Sequence, residues 1–137
     1  EQVGQERQVI DAEFHTRRLT PQGMEGLYLK ASVLVHASSQ EGCCKVLLES
    51  MASGLAVITT RTGTVPEMVR QQERYYGDTG IIAVEREVSA IVEALEELKR
   101  QPSRLARMGQ LNRMLVEEFW SWDVWADRYR DFFRMGL

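Results

Sequence analysis

Val33-Leu34-Val35-His36-Ala37 is a short apolar run, and Ser38-Ser39-Gln40-Glu41-Gly42-Cys43-Cys44 follows it before a helical pattern opens. A run of this length, rich in β-branched residues and apolar on both faces, suits a parallel strand covered by helices on each side. Ala56-Val57-Ile58-Thr59-Thr60 and Ile81-Ile82-Ala83-Val84 have the same character, and Val9-Ile10-Asp11-Ala12 is a fainter fourth candidate. Helical spacing fills the intervals. Met24, Leu27, Tyr28 and Ala31 share a face after Thr20-Pro21, and Leu47, Met51 and Gly54 mark a helix from about Cys44 to Ser53. Thr64-Val65-Pro66-Glu67 predicts a capping box opening a short third helix. Val88, Ile91, Val92, Leu95 and Leu98 follow helical spacing, as do Leu105, Met108, Leu111, Leu115 and Phe119. A last helix is expected from Ser121, an N-cap, with a stripe of Trp122, Trp125, Ala126, Tyr129, Phe132 and Phe133. Strand and helix in alternation give an α/β fold with a doubly wound parallel sheet. The runs at Val33, Ala56 and Ile81 should be adjacent in that order, with the Val9 segment set apart.

The 137 residues are enough for one domain with a real core. A net charge of −3 argues against a nucleic-acid surface, which would need a basic stripe. No apolar run is long enough to cross a bilayer, so no transmembrane segment is expected. The polar N-terminus Glu1-Gln2-Val3-Gly4-Gln5-Glu6-Arg7 does not read as a signal peptide, and the lack of a starting Met suggests a piece of a longer protein. The two cysteines, Cys43 and Cys44, are neighbours. They do not make a disulfide framework and have no partners at zinc-finger spacing, which suits a reducing, cytoplasmic compartment.

In doubly wound sheets, ligands bind at the carboxyl ends of the strands, where loops enter helix N-termini. The stretch after Ala37 fits an anionic, hydroxyl-rich ligand. The helix N-terminus offers free N–H groups and positive potential. Gly42 lets a ligand approach the backbone. The carboxylates of Glu41 and Glu49 can accept hydrogen bonds from sugar hydroxyls. Glu49 lies about 200° around the helix from Leu47 and Met51, away from the core stripe. Plainer readings stand beside this one: a solvated Glu49 or an i,i+4 pair with Lys45, and a turn glycine at position 42.

Glu41-Gly42, Leu47-Leu48-Glu49-Ser50-Met51-Ala52-Ser53-Gly54 and Val57-Ile58 together resemble the Glu-x7-Glu signature of family 4 glycosyltransferases, which have the GT-B fold. Gly63-Thr64-Val65-Pro66-Glu67 resembles that family's Gly-Gly-x-Pro-Glu turn, and Gly77-Asp78-Thr79-Gly80-Ile81-Ile82 its Gly-x-x-Gly-Leu-Leu hairpin. Arg107-Met108-Gly109 and Phe119-Trp120-Ser121-Trp122 resemble its C-terminal helices, so the likeness runs from about Val9 to Phe133. The resemblance implies a Rossmann-like donor domain over residues 1–120, truncated at its N-terminal side. It also implies a helix over residues 121–137 that packs on a missing N-terminal domain. It implies transfer of a sugar from a UDP-, GDP- or ADP-sugar to an acceptor, with retention of configuration and no metal or other cofactor. By position, Glu41 matches the carboxylate that contacts the sugar near the reacting carbon. Glu49 matches the one that binds the ribose, and Gly42, Cys43 and Cys44 match the loop facing the sugar. An aromatic or Pro followed by Gly is usual where Cys43-Cys44 stand, the second Gly of the turn is Thr64, and a Pro is usual at Ala56. The family's pyrophosphate-binding Arg and Lys have no match here, and neither Lys45 nor Arg61 stands at those positions. A catalytically incomplete binding or interaction module and a nucleotide-sugar epimerase are the alternatives.

Of the two histidines, His36 sits in a buried-strand pattern, which predicts a hydrogen-bonded core residue rather than a base. His15 lies in Phe14-His15-Thr16-Arg17-Arg18 and carries no catalytic expectation. The cysteines read as ordinary loop thiols, although a helix N-terminus can activate one. The aromatic stripe from Trp122 to Phe133 reads as core, part of it facing the missing domain.

Overall fold

Thr20 opens the first element. Its hydroxyl accepts a hydrogen bond from the Gly23 N–H at 3.2 Å, and Pro21 takes the first helical position, where its missing N–H costs nothing. The structure, a computed structural model, describes residues 19–135. The Val9 run and His15 lie outside that range. Helix α1 spans Pro21–Lys30, strand β1 Val33–His36, α2 Lys45–Ala52, β2 Ala56–Thr60, α3 Val65–Tyr76, β3 Ile81–Val84, α4 Val88–Arg100 and α5 Pro102–Leu115. A π-helical turn, Val116–Trp120, then leads to α6, Trp122–Met135. Among the described residues no helix is long and apolar enough to cross a membrane.

The three strands form one parallel sheet in the order β1-β2-β3, as the apolar runs predict. Val33 stands beside Ala56, and Val57 beside Ile81. All five residues of β2 are buried, which is why the run carries no polar alternation. Alternate side chains divide between two cores. On one face Val57 and Ile81 pack with Leu47 and Met51 of α2, Val65 and Met68 of α3, and Leu115 and Val116. On the other, Ala56 and Ile58 pack with Ala94 and Leu98 of α4 and Met108 of α5. Each of the fully buried Val, Leu, Ile and Met side chains stabilises the fold by roughly 1.5–3 kcal/mol.

Helix α5 contributes to both cores and crosses the amino ends of the strands. There Asn112 is fully buried and saturated. Its amide donates to the Leu55 and Gly80 carbonyls, each at 2.8 Å, and its carbonyl accepts from Gln72 at 2.9 Å. Gln72 in turn accepts from the Thr79 hydroxyl and the Gly80 N–H. Nearby α5 presses its backbone onto the end of α2: a Cβ on Gly109 would collide with the Gly54 carbonyl oxygen.

Three local expectations change. Thr64 occupies the N-cap of α3 but its side chain makes no capping bond, because φ −83° and ψ −3° turn it helical already. The helix is not short either; it runs 12 residues, carried by Val65, Met68 and the buried Gln72. Helix α4 faces the sheet with Ala94 and Leu98, leaving Val88, Val92 and Leu95 exposed, because the small alanine permits the closer approach. Ser121 does cap α6, accepting from the Val124 N–H at 3.4 Å. No residue of α6 is buried, and Trp122, Tyr129, Phe132, Phe133 and Met135 all lie open.

Candidate functional site

The carboxyl ends of β1 and β2 are stitched together by side chains. The Thr59 hydroxyl donates to the His36 carbonyl at 2.9 Å, and the Thr60 hydroxyl to the Ser38 carbonyl at 2.5 Å. Ser38 closes a small turn, accepting from the Gln40 N–H and donating to the Gln40 carbonyl. The loop after β1 then lies against the loop after β2, where the Thr64 N–H donates to the Gly42 carbonyl at 3.2 Å. Gly63 makes that approach possible. Its φ is +55°, and a Cβ there would collide with the Gly42 carbonyl oxygen.

Within this frame Gly42 itself faces open space: no atom lies within 4 Å of where its Cβ would stand. Cys43 is exposed, and Cys44, at the N-cap of α2 with no side-chain capping bond, is half-buried against the first core. Glu41 turns toward the end of β1. Its Oε1 is 3.3 Å from His36 Nε2, and Cys44 Sγ is 3.5 Å from the same nitrogen. His36 is thus a half-buried member of the loop cluster rather than a core residue. The buried-strand pattern missed this because His36 is the last residue of β1, where the sheet gives way to the loop. The hydroxyls of Thr62 and Thr64, in the adjoining loop, are buried without a partner.

Glu49 points away from the core, as its helical position predicts, and both its oxygens are engaged. Oε1 lies 3.4 Å from Lys45 Nζ, and Oε2 accepts from the Tyr28 hydroxyl at 3.1 Å. Burial, followed by the hydrogen bond to Glu49, pushes the Tyr28 phenol up to about 12. Glu49, Tyr28 and Lys45 border a groove between α1 and α2, together with Pro21, Met24 and Val46. Glu41 and Gly42 do not border it. Glu49 thus borders a groove, while Glu41 turns onto His36 in the open loop after β1. Tyr28 was legible only as an apolar-face residue, since its hydroxyl's partner is 21 positions away.

His36, Glu41 and Cys44 each offer one ligating atom, and the three atoms lie within 4.8 Å of one another. A histidine nitrogen, a carboxylate oxygen and a thiol sulfur together form a donor set able to hold a metal ion.

The family described as "Glycosyl transferases group 1" matches residues 5–114. A GDP-mannose-dependent alpha-(1-6)-phosphatidylinositol monomannoside mannosyltransferase of Mycobacterium tuberculosis is 34% identical over 94 residues, covering 69% of this chain and 23% of that protein. A D-inositol 3-phosphate glycosyltransferase of Gordonia bronchialis is 30% identical over 119 residues, covering 87% of this chain and 25% of the relative. The chain thus spans about a quarter of the length of these curated relatives. Sucrose-phosphate synthase from Thermosynechococcus elongatus superposes with a TM-score of 0.68 at 24% identity, over 80% of this chain and 26% of that one, a likeness of fold.

Proposed function

The chain belongs to the group 1 glycosyl transferases, and from that premise we propose that it supplies the donor half-site of an enzyme moving a sugar from a nucleoside-diphosphate sugar to an acceptor, with retention of configuration. The observation that carries this reading is the pinned loop at the carboxyl ends of β1 and β2. It holds Glu41 and an open Gly42 backbone ahead of the α2 N-terminus, with Glu49 beyond. In this reading Glu41 orients the sugar, and the backbone of Gly42, Cys43 and Cys44 faces it. Glu49 accepts hydrogen bonds from the ribose. The bond from the anomeric carbon to the diphosphate oxygen breaks, a bond to an acceptor hydroxyl oxygen forms on the same face, and that hydroxyl's proton passes to the departing diphosphate. Charge developing on the leaving diphosphate is stabilised by helix N-termini. The step calls for no metal ion.

GDP-mannose is the first donor to test, because similar proteins are named as dependent on it. The open aromatic face of α6 is proposed to pack on an N-terminal domain, where acceptor binding belongs. Two free thiols at the loop favour a cytoplasmic setting. Calorimetry of the complete protein with GDP-mannose and with UDP- and ADP-sugars tests the reading. Saturable binding of one of them, weakened by Glu49→Ala, is expected. Binding of none, or binding untouched by Glu49→Ala, sinks it. The anomeric configuration of the product, read by NMR, tests retention.

A further inference from the structure

We propose that His36, Glu41 and Cys44 form a binding site for a zinc-class divalent cation, separate from any requirement of sugar transfer. Zinc takes nitrogen and carboxylate oxygen at about 2.0–2.2 Å and thiolate sulfur at about 2.3 Å, in a tetrahedron. The edges of such a tetrahedron are about 3.4 Å for N to O and about 3.6 Å for N to S, by the same bond lengths. The observed separations are 3.3 Å from His36 Nε2 to Glu41 Oε1 and 3.5 Å from His36 Nε2 to Cys44 Sγ. All three ligating atoms lie within 4.8 Å. The remaining sulfur-to-oxygen separation lies within the same 4.8 Å, and a rotamer change of the half-exposed Glu41 would close it to a tetrahedral edge.

The frame around the ligands is fixed. His36 ends a hydrogen-bonded strand, its carbonyl held by Thr59, and Cys44 is packed against the core at the start of α2. The donor set also selects its cation. Imidazole with thiolate suits zinc and its softer congeners, whereas magnesium and calcium call for oxygen ligands. A thiolate and a carboxylate bring two negative charges to meet a divalent ion. Three protein ligands leave a fourth position for water, as in other three-ligand zinc sites. A cation held here engages Glu41 and withdraws it from the sugar; that consequence rests on the donor reading, while the metal site does not.

The test uses the full chain with metal alone and no nucleotide sugar, so a failed donor reading leaves it intact. Cadmium titration should raise a thiolate-to-metal charge-transfer band in the ultraviolet. The band should vanish in Cys44→Ser and persist in Cys43→Ser. Zinc calorimetry should show one site, weakened at least about tenfold by His36→Gln and by Glu41→Gln. Circular dichroism establishes that each variant is folded. If Cys44→Ser does not fold, the His36→Gln and Glu41→Gln titrations decide alone. A band that survives Cys44→Ser or depends on Cys43, or a zinc affinity indifferent to His36→Gln, overturns the site.

Discussion

The hydroxyl of Tyr28 in α1 holds Oε2 of Glu49 in α2 at 3.1 Å. Lys45 stands at the other oxygen, 3.4 Å away, but its side chain is 83% exposed, so that ion pair is worth little and exchanges readily. The two partners are unequal in consequence. Lys45 can yield to an incoming hydroxyl donor, while buried Tyr28 keeps the carboxylate aimed.

In the complete protein, Glu49→Ala should weaken donor binding by about 1.5–3 kcal/mol, the range for hydrogen bonds to a charged group. Tyr28→Phe should weaken it by about 1 kcal/mol, through loss of orientation alone. Calorimetry separates the two. Equal losses would mean that Tyr28 touches the donor itself; no loss with Tyr28→Phe would remove its positioning role.

Tyr28 also predicts a response to alkali. Burial and the Glu49 contact raise the phenol from 10.0 to about 12, so the fold favours the neutral form. The stability this contributes is fully present below pH 10 and is lost as pH rises through about 12. A tyrosinate absorbance titration should show late-titrating phenol, and Tyr28→Phe should delete one late step. An unchanged titration curve would contradict the buried contact.

Gly63→Ala should disturb the site more than the fold. The new methyl meets the Gly42 carbonyl at a left-handed backbone position, φ +55°. A strained position of this kind costs about 1–3 kcal/mol, and relief requires the Glu41–Gly42 loop to shift. Thermal unfolding should register that loss while donor affinity falls with it. Wild-type donor affinity in Gly63→Ala would show that the contact between the two loops does not shape the site.

Asn112→Ala should be among the costliest single changes. It strands the Leu55 carbonyl and the Gln72 amide in a buried position, while the Gly80 carbonyl keeps only the Val57 N–H. A loss of roughly 3 kcal/mol is expected from such stranded groups, read by urea unfolding at an unchanged m-value. A change under about 0.5 kcal/mol, ordinary for a surface site, would mean that water replaces the side chain.

The strands and their order were legible in the sequence because Val33–Ala37, Ala56–Thr60 and Ile81–Val84 are apolar on both faces, and only burial between helices explains that. The direction of Glu49 followed from helical geometry. The Gln72–Asn112 pair was not legible, since polar residues in a helix look like surface until their partners are known. The π-helical turn at Val116–Trp120 left no trace because Leu115 and Phe119 keep ordinary helical spacing across it. His36, Glu41 and Cys44 come from a strand end, a loop and a helix cap, so no period joins them. The glycine at 109 read as part of a helix motif; its contact with Gly54 is a tertiary fact.

The sequential strand order has a consequence for how the chain assembles. Among the described residues β2 pairs with β1 and β3 with β2, so this part of the sheet can grow outward as the polypeptide emerges. The Asn112 contacts break that rule. They reach back 57 positions to Leu55 and 32 to Gly80. Until α5 is made, both carbonyls and the Gln72 amide wait without it, and the growing sheet has stacked strands but no clasp. Nascent chains halted before Asn112 should therefore remain protease-sensitive, and protection should set in as a single late step once α5 has left the ribosome.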